Sequence, residues 1–305
     1  MSASPVHPPS EPAAPLAPPH ALPDFDREVD CLLGLPVDAI HMAGAVRRVR
    51  DAAFSGRPCF ISTPNLNFLI AARDDPAFRD SVLHSDLIIA DGMPLVWIAR
   101  LLGARIRERV AGSELFERLR DHRGGPPVSL YFFGGPDGAA ERACQRINES
   151  ATGLRCVGFE SPGFVPLDEM TGDDSVARIN ASGAQFVSVS LGAKKGQAWI
   201  ERMRRRLDAP VLCHLGAVVN FASGSVQRAP RWVQACALEW LWRIKEEPGL
   251  WRRYWNDGRA LLAVLLTRVL PAAWYARRWA PAADALPSAT LSSAQDARGV
   301  RLSLG

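Results

Sequence analysis

Five short apolar runs recur through the chain: Cys59-Phe60-Ile61-Ser62, Leu87-Ile88-Ile89-Ala90, Ser129-Leu130-Tyr131-Phe132-Phe133, Phe186 to Leu191, and Val211 to Leu215. Runs this short, each followed by Gly, Asp or Asn, predict buried parallel strands whose carboxyl ends open into loops. Between them the apolar positions fall at helical spacing, which predicts helices over Asp38–Ala53, Pro94–Leu102, Ala139–Glu149 and Gln197–Leu207. This alternation predicts an α/β fold, a Rossmann-like, mostly parallel sheet flanked by helices. Ligands in such folds sit at the carboxyl ends of the strands. No internal repeat is present.

The pattern changes at both ends. Eight prolines among Ala, Ser and His precede Asp24; such a segment has little to bury and is expected to be a disordered tail over 1–24. Residues 281–305, rich in Ala, Ser and Asp, are read the same way. The α/β catalytic domain then covers 25–227, and 228–280 forms a basic, Trp-rich helical appendage. Seven of the nine tryptophans lie beyond Arg228, and the stretch from Arg228 to Arg278 carries a net +6 on a chain whose total is +4. That combination suits a membrane surface; an oligomer interface is the alternative use of the tryptophans. The run Ala260–Leu266 falls far short of the ~20 apolar residues that a span needs. It is expected to lie on a bilayer and not to cross one.

Composition narrows the classes. The chain is 48% hydrophobic and 22% charged over 305 residues, and its mean hydropathy is near zero. This excludes a polytopic membrane protein and a wholly disordered one. The overall charge gives no reason to expect a nucleic-acid partner. None of the six cysteines forms a C-x-x-C pair, so reduced, packed thiols in a cytosolic protein are expected. No secretory signal pattern opens the chain.

The candidate chemistry lies at strand ends. The first run opens into Thr63-Pro64-Asn65, and the second into Asp91-Gly92-Met93-Pro94. A carboxylate at the tip of a buried strand is placed as a general base or a ribose ligand; capping of the helix at Pro94 is the plain alternative. Phe133-Gly134-Gly135 makes a strand-to-helix turn that can approach a phosphate and also occurs as a simple connector. Lys194 and Lys195 follow another buried strand, where they suit an anionic ligand or simply face solvent. No metal site is evident, since Asp24-Phe25-Asp26 reads as solvated charge, and no cofactor is implied. His214, inside an apolar strand, reads as a core residue.

The ordered series Thr63-x-Asn65, Ala90-Asp91-Gly92, Arg109 to Gly112-Ser113, Phe133-Gly134-Gly135, Leu191-Gly192, Arg228-Ala229-Pro230 and Glu239-Trp240-x-x-Arg243 resembles the WecG/TagA/CpsF glycosyltransferase family, from about Gly34 to Tyr254. The resemblance implies an inverting transferase that moves a sugar from a UDP donor to a polyprenyl-diphosphate-linked saccharide, in cell-surface or exopolysaccharide synthesis. It would act from the cytoplasmic, inner face of the membrane. N-acetylmannosamine, its uronic acid and glucuronic acid are the sugars it suggests. By the same resemblance Asp91 is the catalytic base. Thr63 and Asn65 line the donor–acceptor pocket, and Arg243 and Arg253 reach the donor diphosphate.

The chain departs from the family pattern in three places. The usual Pro-Lys-Gln-Glu reads Lys194-Lys195-Gly196-Gln197, so Lys195 and Gln197 become the candidate sugar contacts. Glu114 stands for the usual Asp. Leu250 replaces a basic residue, so that Arg252 joins the expected diphosphate clamp. Two other classes stay open from the residues alone: a nucleotide-dependent oxidoreductase built on the Gly134-Gly135 turn, and a non-catalytic membrane adaptor. The first lacks the full G-x-G-x-x-G spacing; the second leaves Thr63, Asn65 and Asp91 without a use.

Overall fold

The computed structural model describes residues 27–230, 233, 238–246 and 248–279. The two tails expected at 1–24 and 281–305 lie outside the described residues. Six parallel strands form one sheet in the order β4-β3-β8-β7-β5-β6. They are β3 (Cys59–Ser62), β4 (Leu87–Ile88), β5 (Val128–Gly134), β6 (Leu154–Glu160), β7 (Phe186–Ser190) and β8 (Val211–His214). A separate antiparallel hairpin, β1 (Val29–Leu32) and β2 (Leu35–Asp38), precedes the sheet. Its turn holds Leu33 and Gly34 at φ 52° and 91°; two left-handed residues in succession match the twist of a tight hairpin.

Helices cover both faces. On one, α1 (Met42–Ser55), α5 (Gly112–Arg120), α6 (Ala139–Ser150) and α10 (Val218–Ser223) pack over Ile61, Leu130, Phe132 and Phe186. On the other, α7 (Leu167–Met170), α8 (Asp173–Ala181) and α9 (Ala193–Met203) enclose Phe133, Val187, Val189 and the fully buried Trp199. At the β4 edge, α2 (Leu66–Asp74), α3 (Pro76–Leu83) and α4 (Met93–Leu101) form a third cluster with the hairpin. All five predicted strands are present.

Several boundaries move, each for a local reason. The helix expected from Asp38 begins only at Met42, because the Asp38 carboxylate accepts from Ile88 N–H at 2.7 Å and pairs with Arg27, which keeps this stretch extended. The helix expected at Gln197–Leu207 starts at Ala193, since the extended Gly192 ends the strand and caps the helix at once. Lys194 and Lys195 therefore lie in a helical first turn. The edge strand β6 went unpredicted because its sequence, Leu-Arg-Cys-Val-Gly-Phe-Glu, is not a continuous apolar run. Asn148 holds it by clamping the Cys156 backbone, donating to its carbonyl at 3.0 Å and accepting from its N–H at 2.8 Å.

The cysteine expectation is corrected by the same element. Cys144 on α6 and Cys156 on β6 form a disulfide, with Cα atoms 5.2 Å apart. The return from α6 into β6 brings the two into register, which sequence spacing alone does not reveal. The argument for a cytosolic protein from six reduced thiols thus loses its basis. Cys59 and Cys213 are buried free thiols, and burial pushes the Cys59 thiol up to about 12.

After α10 the chain continues into α11 (Glu239–Glu246), a short 3-10 turn, α12 (Trp251–Val264), a π turn and α13 (Leu270–Trp279). Pro248–Ala276 is one helical stretch of 29 residues, long and apolar enough by length and composition to cross a membrane. The expectation drawn from Ala260–Leu266 considered a far shorter segment. Only 17% of its most apolar part is buried, yet Val264 and Val269 enter the core cluster around α2 and α4. The stretch therefore lies against the α/β domain along one face.

Candidate active site

The carboxyl ends of β3 and β4 meet at Asp91. Ile89 N–H donates to the Ser62 carbonyl at 3.0 Å, and Asp91 N–H to the Pro64 carbonyl at 2.9 Å. These bonds carry the strand pairing past β4 and fix the Asp91 backbone beside Thr63. Val110 N–H bonds the Ala90 carbonyl at 2.9 Å, which brings the Arg109 segment and the start of α5 against the same point. A side chain at Gly112 would meet Leu215 at 2.8 Å and Thr63 at 3.1 Å. Glycine lets the α5 N-terminus approach closely enough for its first N–H to bond the Asp91 carboxylate.

Burial dominates the chemistry of that carboxylate. It raises the Asp91 pKa to about 7; Arg109, the Gly112 N–H and Arg228 oppose the rise, and Glu239 adds to it. A group that exchanges its proton near neutrality, at a strand tip and partly open to solvent, is matched to proton abstraction. Gly92, not Asp91, is the N-cap residue of α4, and no side chain caps that helix. The plain capping explanation for Asp91 therefore fails.

Two arginines and one glutamate face it. Arg109 pairs with Glu239 at 3.2 Å, Arg228 approaches the other Glu239 oxygen at 3.8 Å, and Arg228 also pairs with Glu117. Arg228 Nη2 is buried without a hydrogen-bond partner. Arg243 is half-buried one turn beyond Glu239 on α11, so both project from the same helix face.

The other expected site residues are distributed unevenly. Thr63 is buried against Gly112. Asn65 caps α2, its side chain accepting from Phe68 N–H at 3.2 Å. Lys194 pairs with Asp75 at 2.9 Å, and Lys195 donates to the Val165 carbonyl. Gln197 is fully buried, its amide donating to Ser62 Oγ at 2.8 Å while its carbonyl oxygen stays unpartnered. Arg252 and Arg253 lie exposed in the first turn of α12 and stack on Trp251 and Tyr254. Thr63, Asp91 and Glu239 thus lie about one strand tip, Asn65 packs against Gly92, Gln197 bonds the residue before Thr63, and Arg253 lies near Asp257, which bonds Asn67 at the start of α2.

The sequence motifs contained Arg109, Arg228 and Glu239, but sequence reasoning assigned them no roles. The alternation of cation and anion among three separated segments was the available signal. Gly196 also has a structural use: a side chain there would lie 2.2 Å from the His214 ring, whose Nε2 bonds the Leu191 carbonyl at 2.7 Å. Burial lowers the His214 pKa, so the ring is neutral at physiological pH and donates from Nε2. A cavity of about 370 Å³ beside Pro127 and Leu154 lies at the start of β5 and β6, the opposite end of the sheet from Asp91.

The model of the glycosyl transferase WecG/TagA/CpsF family matches residues 30–273. The chain belongs to this family. It is similar to an N-acetylglucosaminyldiphosphoundecaprenol N-acetyl-beta-D-mannosaminyltransferase of Bacillus spizizenii strain W23, with 28% identity over 206 residues, 68% of this chain and 78% of the relative. A protein of the same name from Bacillus subtilis strain 168 is 28% identical over 205 residues, covering 67% and 78%. The expected fold and enzyme class hold for this glycosyltransferase, which excludes the oxidoreductase and adaptor alternatives.

Proposed function

We propose that this glycosyltransferase transfers an N-acetylmannosamine-type sugar from a UDP donor to a polyprenyl-diphosphate-linked saccharide, with inversion and with Asp91 as the base. The observation that carries this reading is the placement of the Asp91 carboxylate at a strand tip, against the start of α5 and among Arg109, Arg228 and Glu239. Both relatives named above are N-acetylmannosaminyltransferases that act on a diphosphoundecaprenol-linked sugar, which supports the sugar and acceptor classes.

In this mechanism the acceptor hydroxyl attacks the anomeric carbon as its proton passes to the Asp91 carboxylate. The bond to the UDP oxygen breaks on the opposite face. Developing charge on the diphosphate needs cations, and a guanidinium offers a planar fork to phosphate oxygens. Arg109 and Arg228, which face Asp91, are candidates, and Arg243, Arg252 and Arg253 are further candidates from the C-terminal helices.

The acceptor's lipid places the reaction at a bilayer. The exposed side of α12, the π turn and α13 presents Trp251, Trp255, Leu262, Leu266, Leu270 and Trp274, four residues apart from Leu262 onward. Arg252 and Arg278 stack on Trp251 and Trp274. Aromatic residues settle at the headgroup level, and each arginine near an anionic surface adds about 1 kcal/mol. We assign this stripe to peripheral contact in the membrane plane, because the opposite face is docked on the domain. The cytoplasmic leaflet is the side that suits a nucleotide-sugar donor.

The test is a panel of UDP-sugars with polyprenyl-diphosphate-linked N-acetylglucosamine, read by UDP release and by NMR of the new linkage. Transfer of N-acetylmannosamine with a β linkage from an α donor is expected. Retention of configuration, or turnover only with an unrelated sugar, overturns the reading.

A further inference from the structure

The Glu239 carboxylate is the one feature of the site supplied by the appendage that opposes the phosphate-binding charge around it. It extends from the first turn of α11 and meets two guanidinium groups, at 3.2 Å on Arg109 before α5 and 3.8 Å on Arg228 between α10 and α11. The arginines are well shielded, with side chains 17% and 11% exposed. A surface ion pair would be worth little; a shielded carboxylate between two arginines holds its geometry far more firmly.

We infer that Glu239 is a positioning residue for the transfer: it holds the Arg109 and Arg228 guanidinium groups in place beside Asp91 and couples docking of the appendage to the basicity of that carboxylate. The inference rests on the reading of Asp91 as the base. The groups facing Asp91 are few. Arg109 precedes α5, the Gly112 N–H opens it, Arg228 lies between α10 and α11, Glu239 begins α11, and the buried Cys213 thiol stands on β8. Two cations and a peptide dipole stabilise the ionised carboxylate and so weaken it as a base, and burial opposes them. Glu239 is the anion in the set. Its negative charge partly cancels the arginines' effect on Asp91, while their positive charge stays available to a departing diphosphate. With α11 undocked, Asp91 would face the arginines without that offset and would be a weaker base.

The experiment is the pH dependence of kcat/KM for wild type, Glu239→Gln, Glu239→Asp and Arg109→Gln, each checked for folding by thermal unfolding. Glu239→Gln should lower kcat and move the acid limb about 0.5–1 pH unit toward acid, since loss of a neighbouring like charge makes a carboxyl more acidic. Glu239→Asp, which keeps the charge, should leave the limb near its wild-type position. Arg109→Gln should move it in the opposite direction, so the inference remains testable if Glu239→Gln does not fold. An acid limb at the same pH in Glu239→Gln and wild type, or shifts of the same sign in Glu239→Gln and Arg109→Gln, overturns the inference. Asp91→Asn is the separating control: if it stays active, the base assignment itself fails; if it is inactive while the limbs do not move, only the role of Glu239 fails.

Discussion

A carboxylate that takes a proton from a sugar hydroxyl near neutral pH must bind that proton more tightly than an ordinary aspartate does. Asp91 meets the requirement mainly by burial, which wins over two arginines and a helix N–H and raises its pKa to about 7. The rate of transfer is therefore expected to rise with pH through about 7, as the carboxylate loses its resting proton. A kcat/KM profile already flat above about pH 5 would exclude this group as the base. The same shift has a stability consequence. Between the ordinary carboxylate range and about 7, the folded protein holds a proton that the unfolded chain has released, so stability falls as pH rises through that window. Asp91→Asn removes the linkage. Its Tm advantage over wild type should grow between about pH 4 and pH 8, and a difference constant across that range in differential scanning fluorimetry would contradict it.

At the scale of elements, the site depends on close approaches that only small residues allow. Gly112 brings α5 to Thr63, and Gly196 brings α9 to His214. A methyl group at 196 would lie 2.2 Å from the imidazole, and overpacking of this kind costs about 1–3 kcal/mol. Gly196→Ala should lower stability by that amount in urea titrations. In a His214→Ala background the same substitution should cost little, and equal losses in both backgrounds would refute the contact. These elements also explain what the sequence made legible. Continuous apolar runs announce central strands buried on both faces, so β3, β5, β7 and β8 were predicted closely, and Asp91 followed as the residue past β4. The edge strand β6 has mixed polarity and relies on the Asn148 clamp, so its pattern did not mark it. The Arg109, Arg228 and Glu239 array joins Arg109 to a segment more than a hundred residues further along the chain; each motif was visible, but their meeting was not. Lys195 and Gln197 were chosen from the displaced family stretch, with Gln197 opening the predicted helix, whereas the earlier start of α9 at Ala193 accompanies a Gln197 turned inward to Ser62.

On the scale of the whole molecule, the α/β domain and the C-terminal helices divide the work. The domain holds the base, and α11 supplies Glu239 and Arg243. Helices α12 and α13 dock by Val264, Val269 and Ala273 while their other face stays open, with Leu266 57% exposed. Inserting a leucine side chain into the bilayer boundary contributes about 1.5–3 kcal/mol, and a glutamate in its place is also repelled by anionic lipid. Leu266→Glu should therefore weaken co-sedimentation with anionic vesicles at low salt by roughly tenfold or more. Its thermal midpoint should remain near wild type, because the side chain is largely exposed and outside the buried cluster that docks these helices. Unchanged sedimentation would mean that the stripe serves another contact. The measurement that bears most directly on the whole account is UDP release by Asp91→Asn with the lipid-linked acceptor, set beside wild type at pH 8 and at equal folded content by circular dichroism. The account predicts a loss of roughly 10²–10⁴-fold in kcat with donor affinity retained, because the amide keeps the shape of the carboxylate but cannot take the proton. A rate within about threefold of wild type would contradict it.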